Sequence, residues 1–239
     1  RVRTAVRLLQ AFTADAMQRS GFGNRTFHVE EEANGEPVVR FITLDQDGAN
    51  LRKKDMNAFW GEAYGLLSKD FVFENTKLLC LNGFAKYDPA TKQAGGHTAL
   101  GGGSLAMFGT LGMRYWPKSI AEIAKAFTDK LEVNGVDRFD DSAYRKAAWA
   151  NAATTYGAMI HELGHTFGLP HTNDPNCVMS RGFDHINRCF LAVEPAGDKE
   201  ISPFDDPPAP RTTWDPFFAT RLSYHPFFQP DGPLAPSLP

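Results

Sequence analysis

No apolar run in this 239-residue chain approaches the roughly 20 residues needed to cross a bilayer, so no membrane span is expected. An excess of positive charge is also missing. Lysine and arginine number 25 against 28 aspartates and glutamates, a net charge of −3. Nucleic acids and anionic membranes reward a basic face, and neither is expected as a main partner. Cysteine is scarce: Cys80, Cys177 and Cys189 are too few for a disulfide framework. Cys80, inside KLLCLNGF, reads as a small buried hydrophobe. Cys177 and Cys189 bracket a loop and can either pair or stand as free thiols, which leaves the redox compartment open. The chain opens on Arg1, and RVRTAVRLLQAF lacks the long apolar core of a secretory signal. That reading is of a processed chain or an excised domain, with cytoplasmic and secreted locations both open.

What is present suffices for a substantial core. The chain is 42% hydrophobic with 19 phenylalanines, and its length suits one domain, or one domain with two lobes. Apolar positions at Val2, Val6, Leu9, Phe12, Ala16 and Met17 predict a helix over 2–20. RTFHVEE and PVVRFITL, separated by Asn34-Gly35, predict a β-hairpin. DMNAFWGEAYGLLSKD (55–70) predicts an amphipathic helix, and TKLLCLNGFA (76–85) a buried central strand. In GGHTALGGGSLAMFG (95–109), glycines crowd a strand-like run. Such positions accompany either a flexible loop or an edge strand that another backbone approaches closely. Helices are expected over 118–131 and 142–167, the second with Ser142 as N-cap. Beyond residue 195 the chain is rich in proline, apart from a helix-like aromatic island at WDPFFATRLSYHPFF. Together these elements indicate an α+β or α/β layered domain. One sequon, Asn24-Arg25-Thr26, carries little weight alone.

The informative stretch is HELGHTFGLPH, residues 161–171. Histidines four apart share a helical face one turn apart, so His161 and His165 can reach a common ion at about 2.0–2.1 Å. Glu162 is rotated about 100° away, beside a metal without ligating it. There it is suited to take a proton from water. Gly168 permits a sharp reversal, Pro170 blocks further helix, and His171 can return as a third ligand. Three neutral nitrogens with one open position describe a catalytic zinc site. A bare HExxH arises by accident in many chains. Requiring Gly168 and His171 as well lowers the chance to the order of one in 10⁵ per chain. His28, His97, His185 and His225 have no ligand-like spacing, and Asp174 reads as a loop residue.

HELGHTFGLPH resembles the HExxHxxGxxH signature of metzincin metallopeptidases, and NCVMSRGF puts Met179 where their Met-turn would lie. With GGGSLAMFGT…YWP and CVMSRGFDHINRCF, the chain is similar to a mostly fungal group of metallopeptidases. The resemblance spans residue 2 to about 225, with its specific residues in 95–190. It implies an α+β zincin-like fold. A mixed twisted sheet and the active-site helix would form an upper subdomain (1–168), and a smaller irregular one would carry the Met-turn (169–239). It also implies one Zn²⁺ on His161, His165 and His171, Glu162 as general base, and a monomer holding an extended polypeptide substrate along TALGGGSLAMFG. Residues Arg181 to Asn187 would wall the pocket after the scissile bond. Two departures stand out. Arg181 occupies the place where some metzincins have a tyrosine, and the strand that usually precedes the first helix is not visible. Two other functions fit the motif alone: a zinc hydrolase of non-peptide amides, and an interaction module with a vestigial zinc site.

Overall fold

The computed structural model describes residues 1–192, 194–195 and 210–229. Helix α1 (Val2–Arg19) follows the expected periodicity, burying Leu8, Leu9, Phe12, Ala16 and Met17 along one face. Helix α2 (Gly48–Leu51) is a single turn. Helix α3 (Met56–Leu67) begins where the Asp55 carboxylate accepts from the Ala58 N–H. Strands β1 (Leu78–Asn82), β2 (Lys86–Asp88), β3 (Gln93–Gly95), β4 (Ala99–Gly102) and β5 (Leu105–Gly109) follow. β2 and β3 form a small antiparallel ribbon. The main sheet has the order β1-β5-β4, with β1 parallel and β4 antiparallel to β5. After the short helix α4 (Ile123–Ala126) come the long helix α5 (Ala148–Thr166) and helix α6 (Pro216–Tyr224). The architecture is a mixed α+β one. No helix among the described residues is long and apolar enough to cross a membrane.

Helix α5 is the axis of the molecule. All of its residues except His165 are buried, the signature of a helix covered on every side. Strands β4 and β5 lie on one side and the 3₁₀ segment Arg181–Cys189 on another. Alanine-rich packing allows this close enclosure. A Cβ on Gly101 of β4 would lie 2.8 Å from the Cα and carbonyl carbon of Glu162, and closer still to its carbonyl oxygen. The edge strand therefore rests directly on the backbone of α5.

Four expectations are corrected. The segment 76–85 does form a strand, but β1 is an edge strand with four half-buried residues; β5 holds the centre and is buried throughout. The hairpin turn at Asn34-Gly35 exists, with Gly35 at φ +78°, yet its arms pair only through an isolated bridge between Glu31 and Pro37. Phe41, 96% exposed, has no apolar surface to pack on, and a two-stranded ribbon without such support is marginal. Over 118–131, regular α-helix is confined to the four residues of α4, after a 3₁₀ turn at Ile120–Glu122. Finally, α5 starts at Ala148, not at 142. Ser142 caps something else: its Oγ accepts from the Lys146 N–H at 2.7 Å. Ala143, Tyr144 and Lys146 hold left-handed backbone conformations incompatible with helix. Most of the proline-rich tail lies outside the described residues. Within it α6 forms as the aromatic island suggested, and Cys177 and Cys189 are both free.

Candidate metal centre

His161 and His165 project from the last turns of α5, and the helix ends at once. The Gly168 N–H donates to the His165 carbonyl (3.0 Å) and the Leu169 N–H to the Gly164 carbonyl (3.2 Å). Gly168 sits at φ +75°, where a residue with a Cβ would be strained. The reversal brings His171 back over the helix end. The three imidazoles then converge: Nε2 of His161 is 3.1 Å from Nε2 of His171, and Nε2 of His165 is 3.2 Å from each. Among the described residues these three are the only group of ligating side chains able to hold a metal ion.

The rest of the fold fixes the tautomers. His161 Nδ1–H donates to the Val178 carbonyl and His165 Nδ1–H to the Leu169 carbonyl, both at 2.8 Å. With Nδ1 carrying the proton, both Nε2 lone pairs point inward. Burial pushes the His161 pKa down to about 4, partly opposed by the Val178 carbonyl, and lowers that of His165. Both rings are therefore neutral near pH 7. Close-set lone pairs without protons between them repel unless a cation joins them. Tetrahedral zinc at about 2.0–2.1 Å would set its ligands roughly 3.3–3.4 Å apart. The observed spacing fits that demand after a small adjustment.

Glu162, one residue from His161, faces β4 and is 8% exposed. Burial raises its pKa to about 7. No hydrogen bond ties its carboxylate among the described residues. Met179 is fully buried against α5 at Gly164, where an added Cβ would press into the methionine sulfur. Its turn is stitched in place. The Thr172 N–H donates to the Met179 carbonyl (3.3 Å), and Cys177 Sγ accepts from the N–H groups of Met179 (3.3 Å) and Asp215 (3.2 Å). This service of Cys177 was not legible in the sequence, because its second donor comes from a segment 38 residues away. The remaining histidines take no part: His97 packs against Phe108 and Phe139, and His225 against Phe167.

Comparison with known proteins points the same way. A family model described as "Putative peptidase family" (Metallopep) matches residues 1–237. A protein of Schizosaccharomyces pombe named "Putative zinc metalloproteinase" is 28% identical over 263 residues, covering 99% of this chain and 42% of the relative. Its namesake in Saccharomyces cerevisiae is 31% identical over 262 residues, covering 95% of this chain and 37% of the relative. The chain thus spans about two-fifths of each. Among solved structures, wild-type OgpA from Akkermansia muciniphila shares the fold with a TM-score of 0.54 at 18% identity, over 92% of this chain and 54% of that one. Catalytically inactive OgpA in complex with an O-glycopeptide (glycodrosocin) substrate gives a TM-score of 0.55 at 16% identity, over 93% and 53%.

Proposed function

The chain belongs to the Metallopep peptidase family, whose relatives bear zinc-metalloproteinase names, and on that premise we propose that it is a zinc-dependent endopeptidase of metzincin type. The observation that carries the reading is the convergence of three inward-facing Nε2 atoms at 3.1–3.2 Å with a buried carboxylate one residue along. In this reading His161, His165 and His171 hold one Zn²⁺. When bound, zinc supplies a Lewis acid that polarises the scissile carbonyl and acidifies the attacking water. Glu162 accepts the proton of that water and passes it to the leaving amine, a task suited to a carboxylate with a raised pKa. The Val178 and Leu169 carbonyls hold the first two imidazoles in the ligating tautomer. Met179 acts as the Met-turn residue, packing beneath α5 without chemical part. The catalytic domain is then read as an upper subdomain (1–168) ending in the zinc helix and a lower one (169–239) carrying the Met179 turn.

The substrate in this reading is an extended polypeptide. Strand β4 pairs with β5 on one side only, so its other edge can take a peptide by β-augmentation. OgpA, bound to a glycopeptide on the same fold, supports a peptide ligand in general and not a glycan in particular.

The test is Glu162→Gln in zinc-loaded protein against a proteome-derived peptide mixture. Zinc content should stay at one ion per chain while cleavage falls about 10²–10⁴-fold. Undiminished cleavage would remove Glu162 from its role. A wild-type protein that hydrolyses only small non-peptide amides, or that binds peptides with no chelator-sensitive cleavage, would replace the endopeptidase reading.

A further inference from the structure

Three arginines gather where the 3₁₀ segment Arg181–Cys189 packs on α5. Two are committed. Arg188 pairs with Glu194 at 3.1 Å, both side chains almost fully buried, and donates to the Pro210 carbonyl at 2.9 Å. Arg145 lies 4.9 Å over the Trp149 ring and donates to Thr154 Oγ1 and the Asp184 carbonyl, each at 2.8 Å. The third, Arg181, donates from Nη2 to the buried Asp184 carboxylate at 2.7 Å, and Thr154 Oγ1 holds the same carboxylate at 2.9 Å. Among the described residues two carboxylates therefore answer these three guanidinium groups, which leaves this wall one positive charge in excess.

Only Arg181 presents that charge outward. Its side chain is 66% exposed, against 8% for Asp184 and 2% for Arg188. Nε and Nη1 of Arg181 make no hydrogen bond among the described residues. The group is also held in place: its guanidinium stacks 4.7 Å over the Phe183 ring, which meets the His161 ring at 5.2 Å. Phe183 is fixed in turn, since a Cβ on Gly157 would lie 2.6 Å from its carbonyl carbon.

Position on α5 says which part of a substrate would meet this cation. At 100° per residue, Gly157, His161 and Gly164 share one face, covered by the Met179 turn and the 3₁₀ wall. Glu162 is turned away from that face and covered by β4. In the peptidase reading a peptide paired with β4 would pass the three imidazoles with the 3₁₀ wall on its far side. Resting on the peptidase reading above, we infer that Arg181 is a specificity-determining residue. It selects substrates with a carboxylate within two residues of the scissile bond, on the side away from β4. An acidic side chain or a free C-terminus would each supply that group, and a planar guanidinium with two free donors suits a carboxylate better than an ammonium would.

The experiment uses zinc-loaded protein and C-terminally amidated fluorogenic peptides that differ only in the residue after the scissile bond: Glu, Gln or Lys. A fourth peptide keeps Gln and ends there in a free carboxylate. Wild type should prefer Glu over Gln in kcat/KM by about tenfold, the low end of the range for one hydrogen bond to a charged group, as suits a largely exposed guanidinium. The preference should shrink as salt rises. Arg181→Gln should bring the ratio near one, and Arg181→Glu should reverse it toward Lys. Fluorescence anisotropy of the same peptides on Glu162→Gln protein gives a binding readout independent of turnover. Preference for the fourth peptide over its amidated twin would assign the carboxylate to a chain terminus; preference for Glu alone assigns it to a side chain. A charge-blind wild type, or a Glu preference surviving in Arg181→Gln, overturns the inference while leaving the peptidase reading intact. Failure to cleave even the Gln peptide overturns both.

Discussion

Substituting Gly101 by alanine should loosen the contact on which the site is built. The added Cβ would sit 2.8 Å from two backbone atoms of Glu162 and nearer still to its carbonyl oxygen, where ordinary contact begins at 3.4 Å. Neither partner is a flexible side chain, so strand β4 and helix α5 must separate by roughly 1 Å. Overpacking of this kind costs about 1–3 kcal/mol. Alanine recovers about 0.4–1 kcal/mol by restricting the unfolded chain. The net loss should be up to about 2.6 kcal/mol, equivalent to a fall in Tm of up to roughly 10 °C for a chain of this size. Activity should fall further than stability. A displacement of about 1 Å at a reacting group can cost on the order of 10²-fold, and the shifted backbone is that of Glu162, the general base of the proposed mechanism. Differential scanning calorimetry at fixed zinc concentration, with peptide-cleavage kinetics well below Tm, measures both. A Gly101→Ala protein with unchanged Tm and unchanged kcat/KM would refute the claim that β4 and α5 are in backbone contact.

Acid should destabilise the protein through His185, whose pKa is pushed down to about 3, chiefly by burial and then by the charges of Arg188, Arg145 and Arg181. The unfolded chain binds a proton at this residue below about pH 6.5 and the folded chain refuses it until about pH 3, so stability falls as pH drops through that window. Because the ring is partly reached by solvent, about 1–2 kcal/mol should be lost between pH 6.5 and 4.5, against a full 1.36 kcal/mol per pH unit for a completely refused proton. Urea titrations of wild type and His185→Gln across this range should show a shallower acid limb in the variant; parallel limbs would remove His185 as the cause. Breaking the Arg188–Glu194 pair one residue at a time should cost about 3–5 kcal/mol, because the remaining charge stays buried without its partner. The double replacement Arg188→Met with Glu194→Leu should cost clearly less, and equal losses in single and double variants would show that the pair is not coupled.

The site was largely legible before any fold was known, because its geometry is local. A spacing of four on a helix fixes His161 and His165 on one face, and a glycine three residues later allows the left-handed turn that returns His171; no distant contact is required for either. The caps and periodicity of α1 and α3 are local in the same sense. Other features depended on partners far along the chain. Three left-handed residues between Ser142 and Ala147 delay the start of α5, and Arg145 is anchored from there to Asp184, 39 residues away. PVVRFITL has the composition of a strand, but Phe41 and Ile42 stay exposed while Leu44 packs on the core beside α3, so propensity alone does not make it one. The crowding of glycine in β4 suggested that another backbone comes close, and the tertiary structure decided that this backbone is that of Glu162. It likewise decided that Arg181 stands over Phe183 beside the face of α5 that carries His161. Side-chain spacing along a helix is set by bond geometry within a few residues, whereas burial, sheet order and charge balance are set by which distant segments pack together.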